Sequence, residues 1–119
     1  MAVQLQCVES TYSLSGHFAT VTLTFRLLDD SIVDENNNPK ILDQKTISVT
    51  QNMLAENAKD VLKQKILDAI DEYLAKAKTN MDKIYSLFGT IDPDEIMELI
   101  KQDIQNDVAN LVQTYFPSS

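Results

Sequence analysis

The chain has 119 residues, 44% of them hydrophobic and 24% charged, and carries a formal net charge of −8. This is the size and composition of a single globular domain, and it excludes a disordered or collagen-like chain. One arginine, one histidine, one cysteine and two glycines leave little material for phosphate-binding loops, disulfides, zinc centres or nucleic-acid grooves.

Residues 1–51 predict a β-meander. Val3 to Val8 reads as a first strand, with Val3, Leu5 and Cys7 on one face and Gln4 and Gln6 on the other. Ser10 to Gly16 is a polar connection that carries Tyr12 and Leu14. His17 to Leu27 is the clearest strand: Ala19, Val21, Leu23, Phe25 and Leu27 alternate with Thr20, Thr22 and Thr24. Such alternation marks an antiparallel sheet with one covered face and one wet face, and threonine suits the wet face because β-branching favours extended backbone. The doublet Leu27-Leu28 breaks the alternation and marks a bulge.

Asp29 to Lys40 is a polar excursion with Asn36-Asn37-Asn38-Pro39 at its tip, where asparagine tolerates left-handed backbone and proline fixes φ. Within it, Ile32 and Val33 either extend the hairpin as an arm or touch a neighbouring molecule. A third strand is predicted from about Ile41 to Thr50, with Ile47 and Val49 inward.

After Thr50 the apolar period changes from two to three or four. Asn52 is the expected N-cap of a first helix. Its stripe comprises Leu54, Ala58, Val61, Leu62, Ile66, Ala69, Ile70, Tyr73, Ala77, Met81, Ile84 and Phe88. If continuous, this helix is about 50 Å long and overhangs a compact body whose radius of gyration is near ~13.5 Å. A break at Thr79-Asn80 is the alternative, since Thr79 and Asp82 fit a capping box. A continuous or kinked helix is favoured.

Gly89 closes that helix. Asp92, Pro93 and Glu95 then occupy N-cap, N1 and N3 of a second helix, with Ile91 and Ile96 able to staple it. Its stripe is Ile96, Ile100, Ile104, Val108, Leu111, Val112 and Tyr115, and Pro117 stops it. The short link predicts an antiparallel hairpin. The expected class is therefore α+β: one domain over 1–119, with a three-stranded antiparallel meander at 1–51 and a pair of long helices at 52–119.

No catalytic, cofactor-binding or metal residues are assigned. His17 begins the central strand on the inward parity and reads as a strand-end histidine bonded to backbone. Cys7 lies on the apolar face and reads as a buried, inert thiol. One Cys and one His cannot hold structural zinc. Asp34, Asn36 and Asn38 alternate as in a calcium loop, but Pro39 and Lys45 stand where such a loop needs glycine and glutamate. The acid pairs Asp29-Asp30, Asp71-Glu72 and Asp103/Asp107 read as solvated surface. An enzyme is not expected, although a site shared between subunits around His17 is the third alternative.

Residues 89–119 hold six acids and only Lys101, so direct nucleic-acid binding is not expected. Met1 to Ser10 has neither a basic segment nor an apolar run, and no stretch reaches the ~20 apolar residues of a membrane span. Neither a membrane nor a signal-peptide route is expected, and an intracellular or particle-borne location is. Interface candidates are Ile32, Val33, Asn37 and Pro39 at the hairpin tip, Tyr115 and Phe116 at the C-terminal end, and a sheet edge. In size, acidity, sheet-plus-helix layout and lack of a site, the chain resembles small virion components of bacteriophages such as connectors, tail components or capsid decorations. The expected function is a structural or assembly subunit whose partners are copies of itself or other protein subunits. The alternative is a monomeric acidic adaptor or chaperone-like module.

Overall fold

The computed structural model describes residues 3–117. Its order is β1 (Val3–Ser15), β2 (Phe18–Val33), β3 (Pro39–Asn52), α1 (Ala58–Phe88) and α2 (Pro93–Tyr115). The strands form one antiparallel sheet in the order β1-β2-β3. The fold is α+β, a meander followed by two helices. The chain divides into two compact units, Met1–Asn80 and Met81–Ser119. The division falls inside α1 at Asn80, not at the sheet-to-helix change near residue 51.

Within the first unit, β2 is the central strand. Its odd positions face inward as expected: Ala19, Phe25 and Leu27 are buried, with Ile47 of β3 beside them. Tyr73 of α1 closes this core by donating its hydroxyl to Asp43 Oδ2 at 2.7 Å, and Lys65 Nζ reaches the Thr50 carbonyl. Advancing along α1 from Lys65 to Tyr73 thus moves from Thr50 back to Asp43, so the helix returns along β3.

The opposite face is a hydroxyl ladder. Thr20 shares a hydrogen bond with Thr50, Thr22 with Ser48, and Thr24 with Thr46, at 2.9, 3.2 and 3.1 Å. Arg26 Nε extends the row by donating to Gln44 Oε1. Each such cross-strand pair contributes roughly 0.2–1 kcal/mol and locks the β2–β3 register.

The first strand differs from expectation. The segment read as a polar connection is strand, and β1 reaches Ser15. A bulge between Cys7 and Glu9 makes this possible. Val8 is the extra residue: Leu5 and Cys7 oppose Leu27 and Phe25, then Tyr12 and Leu14 oppose Val21 and Ala19. The bulge switches side-chain parity from odd to even, so both apolar runs stand on one face. The doublet Leu27-Leu28 marks a second irregularity, but the additional residue is Leu42 on β3, because Leu27 pairs with Asp43 and Leu28 with Ile41.

The β2–β3 excursion is an arm of the sheet: β2 continues to Val33, which pairs with Pro39. Asn37 takes the left-handed conformation at φ 65°. Asp34 Oδ1 accepts the amides of Asn36 and Asn38, so this carboxylate builds the turn. At the base of the arm Asp29 is fully buried; its Oδ1 accepts from the Ser31 amide and hydroxyl. Its Oδ2 is buried without a hydrogen-bond partner among the described residues.

Asn52 is not the N-cap of α1. Its Oδ1 accepts from the Leu54 amide in a turn, Leu54 is exposed, and the helix begins at Ala58. Asn57, left-handed at φ 56°, supplies the carbonyl that accepts the Val61 amide. A side chain already bonded two residues ahead in a turn holds the chain off the helical path. From Ala58 the helix is continuous for 31 residues. Thr79 donates its hydroxyl back to the Ala75 carbonyl, which keeps it inside the helix instead of capping a new one.

The link between helices behaves as its sequence requires. Gly89 is left-handed at φ 72° and its amide bonds to the Tyr85 carbonyl. Asp92 accepts from the Asp94 amide, and Pro93 opens α2. Glu95 acts through an intermediary: Thr90 donates its hydroxyl to Glu95 Oε2 and accepts the Asp92 amide.

Two measurements check this packing. Asp92→Ala removes the N-cap and costs about 1 kcal/mol, read as a lower urea midpoint. Burial first, then the hydrogen bond and charge of Asp43, hold the Tyr73 phenol well above its usual range. A raised folded-state value means stability that is complete below the unfolded phenol's ~10 and lost as pH rises above it. Tyr73→Phe is therefore less stable at pH 7.5, by about 1 kcal/mol, and loses less than the parent protein between pH 10 and 12 in thermal melts.

Candidate functional site

Among the described residues, His17 and Cys7 do not converge. His17 was expected on the inward parity; it lies exposed in the β1–β2 turn, with its ring 4.6 Å from that of Phe18. Its carbonyl accepts the Met53 amide, so the backbone bond belongs to the peptide group. The turn takes residues 16 and 17 with Gly16 left-handed, which lifts His17 out of the strand. Cys7 was expected to be buried and is exposed. It stands on the apolar face as read, but of that face on β1 only Leu5 is half-buried, and the Cys7 Sγ donates to the Glu9 carbonyl at 3.5 Å. Cys7 pairs with Phe25, eight positions from the turn, so it lies on the order of 25 Å from His17 along the sheet.

Among the described residues no three His, Cys, Asp or Glu side chains are grouped to hold a metal ion. A shallow depression on α1 is lined by Ala75, Lys76, Thr79 and Asn80, a set without a nucleophile–base pair. No helix among the described residues is long and apolar enough to cross a membrane.

What the surface presents instead is uncovered apolar side chains. On β1, Val3, Val8, Tyr12 and Leu14 are exposed, Tyr12 at 63% and Leu14 at 59%. The hydrogen-bonding edge of this 13-residue strand is also free, because the sheet begins with it. The other edge, β3, carries Pro39, Lys40, Asp43 and Lys45 and the Leu42 bulge. These are the devices by which edges avoid pairing; β1 has the Val8 bulge and Glu9, with no proline or lysine.

In the second unit α2 buries no side chain. Ile104, Val108, Leu111, Val112 and Tyr115 form an exposed stripe over its C-terminal half. Their spacing alternates four and three along 104, 108, 111 and 115, the pattern of a helix seam. Asp103 and Asp107 sit among them, and Lys101 is α2's single base, bonded to Glu98 at 3.5 Å.

Of the residues anticipated as contacts, Val33, Asn37 and Pro39 are exposed around the arm's turn and Ile32 is half-buried beside them. Tyr115 and Phe116 are each 76% exposed at the end of α2. The apolar half of β1 beyond the bulge was not anticipated. Its readable signal was the even spacing of Tyr12 and Leu14 after the odd spacing of Leu5 and Cys7.

No family model, no curated protein and no solved structure matches this chain.

Proposed function

We propose that this chain is a non-enzymatic structural or assembly subunit that works as a homo-oligomer or within a larger protein complex, of the kind found as connectors, tail components or decorations of bacteriophage virions. One observation carries the reading: large apolar side chains on β1 and on the stripe of α2 are exposed while nucleophiles, bases and metal-ligand types stay scattered. Exposed apolar area of this kind marks surfaces that are covered by association. The arm tip, the free edge of β1 and the end of α2 are its contact sites, and they engage protein, not nucleic acid or membrane.

A second reading is favoured by the charge of α2. Five acids against Lys101 surround its bare stripe, which suits a monomeric adaptor that docks a basic amphipathic segment. Salt separates the two, since apolar seams resist it and acidic docking weakens with it.

Absolute mass by light scattering after size exclusion, at 50 mM and 500 mM salt, is the test. The expected result is a defined multiple of 13.4 kDa at both salts. A monomer at both salts overturns homo-assembly. A basic partner captured only at low salt supports the adaptor reading instead.

A further inference from the structure

We infer that a second copy of this chain pairs with β1 edge to edge, in one register, to make a continuous six-stranded antiparallel sheet across a two-fold axis. The inference rests on the assembly reading above and names its contact.

The bulge sets the register. Before it, the residues on the α1-facing side of the sheet are Val3, Leu5 and Cys7; after it they are Ser10, Tyr12 and Leu14. Opposed residues of paired strands must share a face. An antiparallel pairing about a two-fold axis places residue i opposite a residue whose number completes a constant sum. When that sum is 17, Val3 meets Leu14 of the second copy, Leu5 meets Tyr12, and Cys7 meets Ser10, all on one face. Gln4 meets Ser13 and Gln6 meets Thr11 on the other. The bulge also exchanges which residues point their N–H and C=O outward, so in this register the free peptide groups of the two edges meet as well. The two bulges then face one another at the axis. Shifting by one residue opposes the wrong faces. Shifting by two leaves a mismatched stretch between the bulges. One register alone matches along the whole strand.

Charge selects the second copy at this edge and not elsewhere. β1 holds one charged residue in thirteen, so it meets itself with a single like-charge approach, between the Glu9 side chains near the axis. Two copies of α2 meeting would bring together helices that each hold five carboxylates against one lysine. Area sets the strength. The edge is about 44 Å long and about 10 Å thick, on the order of 400 Å² from each copy. A stable interface takes about 800 Å² from each partner. Edge pairing alone thus falls short, and the exposed Val3, Tyr12 and Leu14 side chains add to it by packing across the seam.

Disulfide trapping tests the register. In a Cys7→Ser background, Leu5→Cys with Tyr12→Cys places two thiol pairs across the axis. Within one copy these positions are seven residues apart, on the order of 23 Å, and cannot join. Mild oxidation is expected to convert most of this variant to a covalent dimer on a non-reducing gel. The Gln6→Cys/Tyr12→Cys control, with thiols on opposite faces, is expected to remain at least fivefold less cross-linked. Equal cross-linking of the two, or none in either, overturns the proposal. Leu14→Lys gives a check that does not depend on the cysteine variants folding. Residue 14 is exposed, so circular dichroism is expected to be unchanged while the light-scattering mass falls to that of one chain; Glu9→Gln is expected to tighten association. An oligomer that survives Leu14→Lys and shows no register-specific cross-link overturns β1 pairing but leaves the assembly reading intact. A parent protein that is monomeric at millimolar concentration overturns β1 pairing and homo-assembly together.

Discussion

One helix cannot cover three strands, and most of the surface of the first unit follows from that. An α-helix with its side chains is about 10–12 Å across, while neighbouring strands lie about 4.8 Å apart. The part of α1 that returns along β3 is held to it by Tyr73–Asp43 and Lys65–Thr50, and Phe25, Leu27, Ile47 and Tyr73 are buried in this unit. It leaves β1 with an apolar face and a free edge at once. A strand exposed on both counts is the least favourable place to stop a sheet in water.

The polar face contributes in the opposite sense. The hydroxyl ladder of Thr20, Thr22 and Thr24 with Thr50, Ser48 and Thr46 pairs its hydroxyls with one another, and Phe18 stands exposed at its end. It fixes the β2–β3 pairing without demanding cover. The sheet thus has one face built mainly on paired hydroxyls and one whose apolar side chains are buried at Ala19, Phe25, Leu27 and Ile47 and exposed at Tyr12 and Leu14. The β3 edge carries Pro39, Lys40 and Lys45, while β1 carries a single charge, Glu9.

Each helix link is built from short-range chemistry that works without the rest of the molecule. Gly89 provides the left-handed residue, Asp92 the cap, Pro93 the fixed φ, and Thr90 connects Asp92 to Glu95. The start of α1 shows what happens when that chemistry is ambiguous. Asn52 and Asn57 are both competent caps; the turn bond from Leu54 to Asn52 occupies the first, and the helix starts after the second. Local propensity named the right residue type five positions early, because two equivalent signals differ only in what the preceding strand does, and β3 extends to Asn52.

The change from period two to period three or four determined the fold class from the sequence alone, because strand and helix impose different repeats on whatever must be buried. Gly89, Asp92 and Pro93 likewise fixed the second helix start, since capping acts within a few residues. The hairpin tip at Asn36 to Pro39 was legible for the same reason. Burial was not. Cys7, Tyr12 and Leu14 carry the pattern of a covered face, and the sequence has no means of stating that all three stay exposed. The bulge at Val8 shows the same limit from the other side: an odd run and an even run of apolar residues are each visible, but only pairing against a continuous β2 puts them on one face. Periodicity records which side chains a chain would bury; the number and width of the elements available to cover them decide which ones it does.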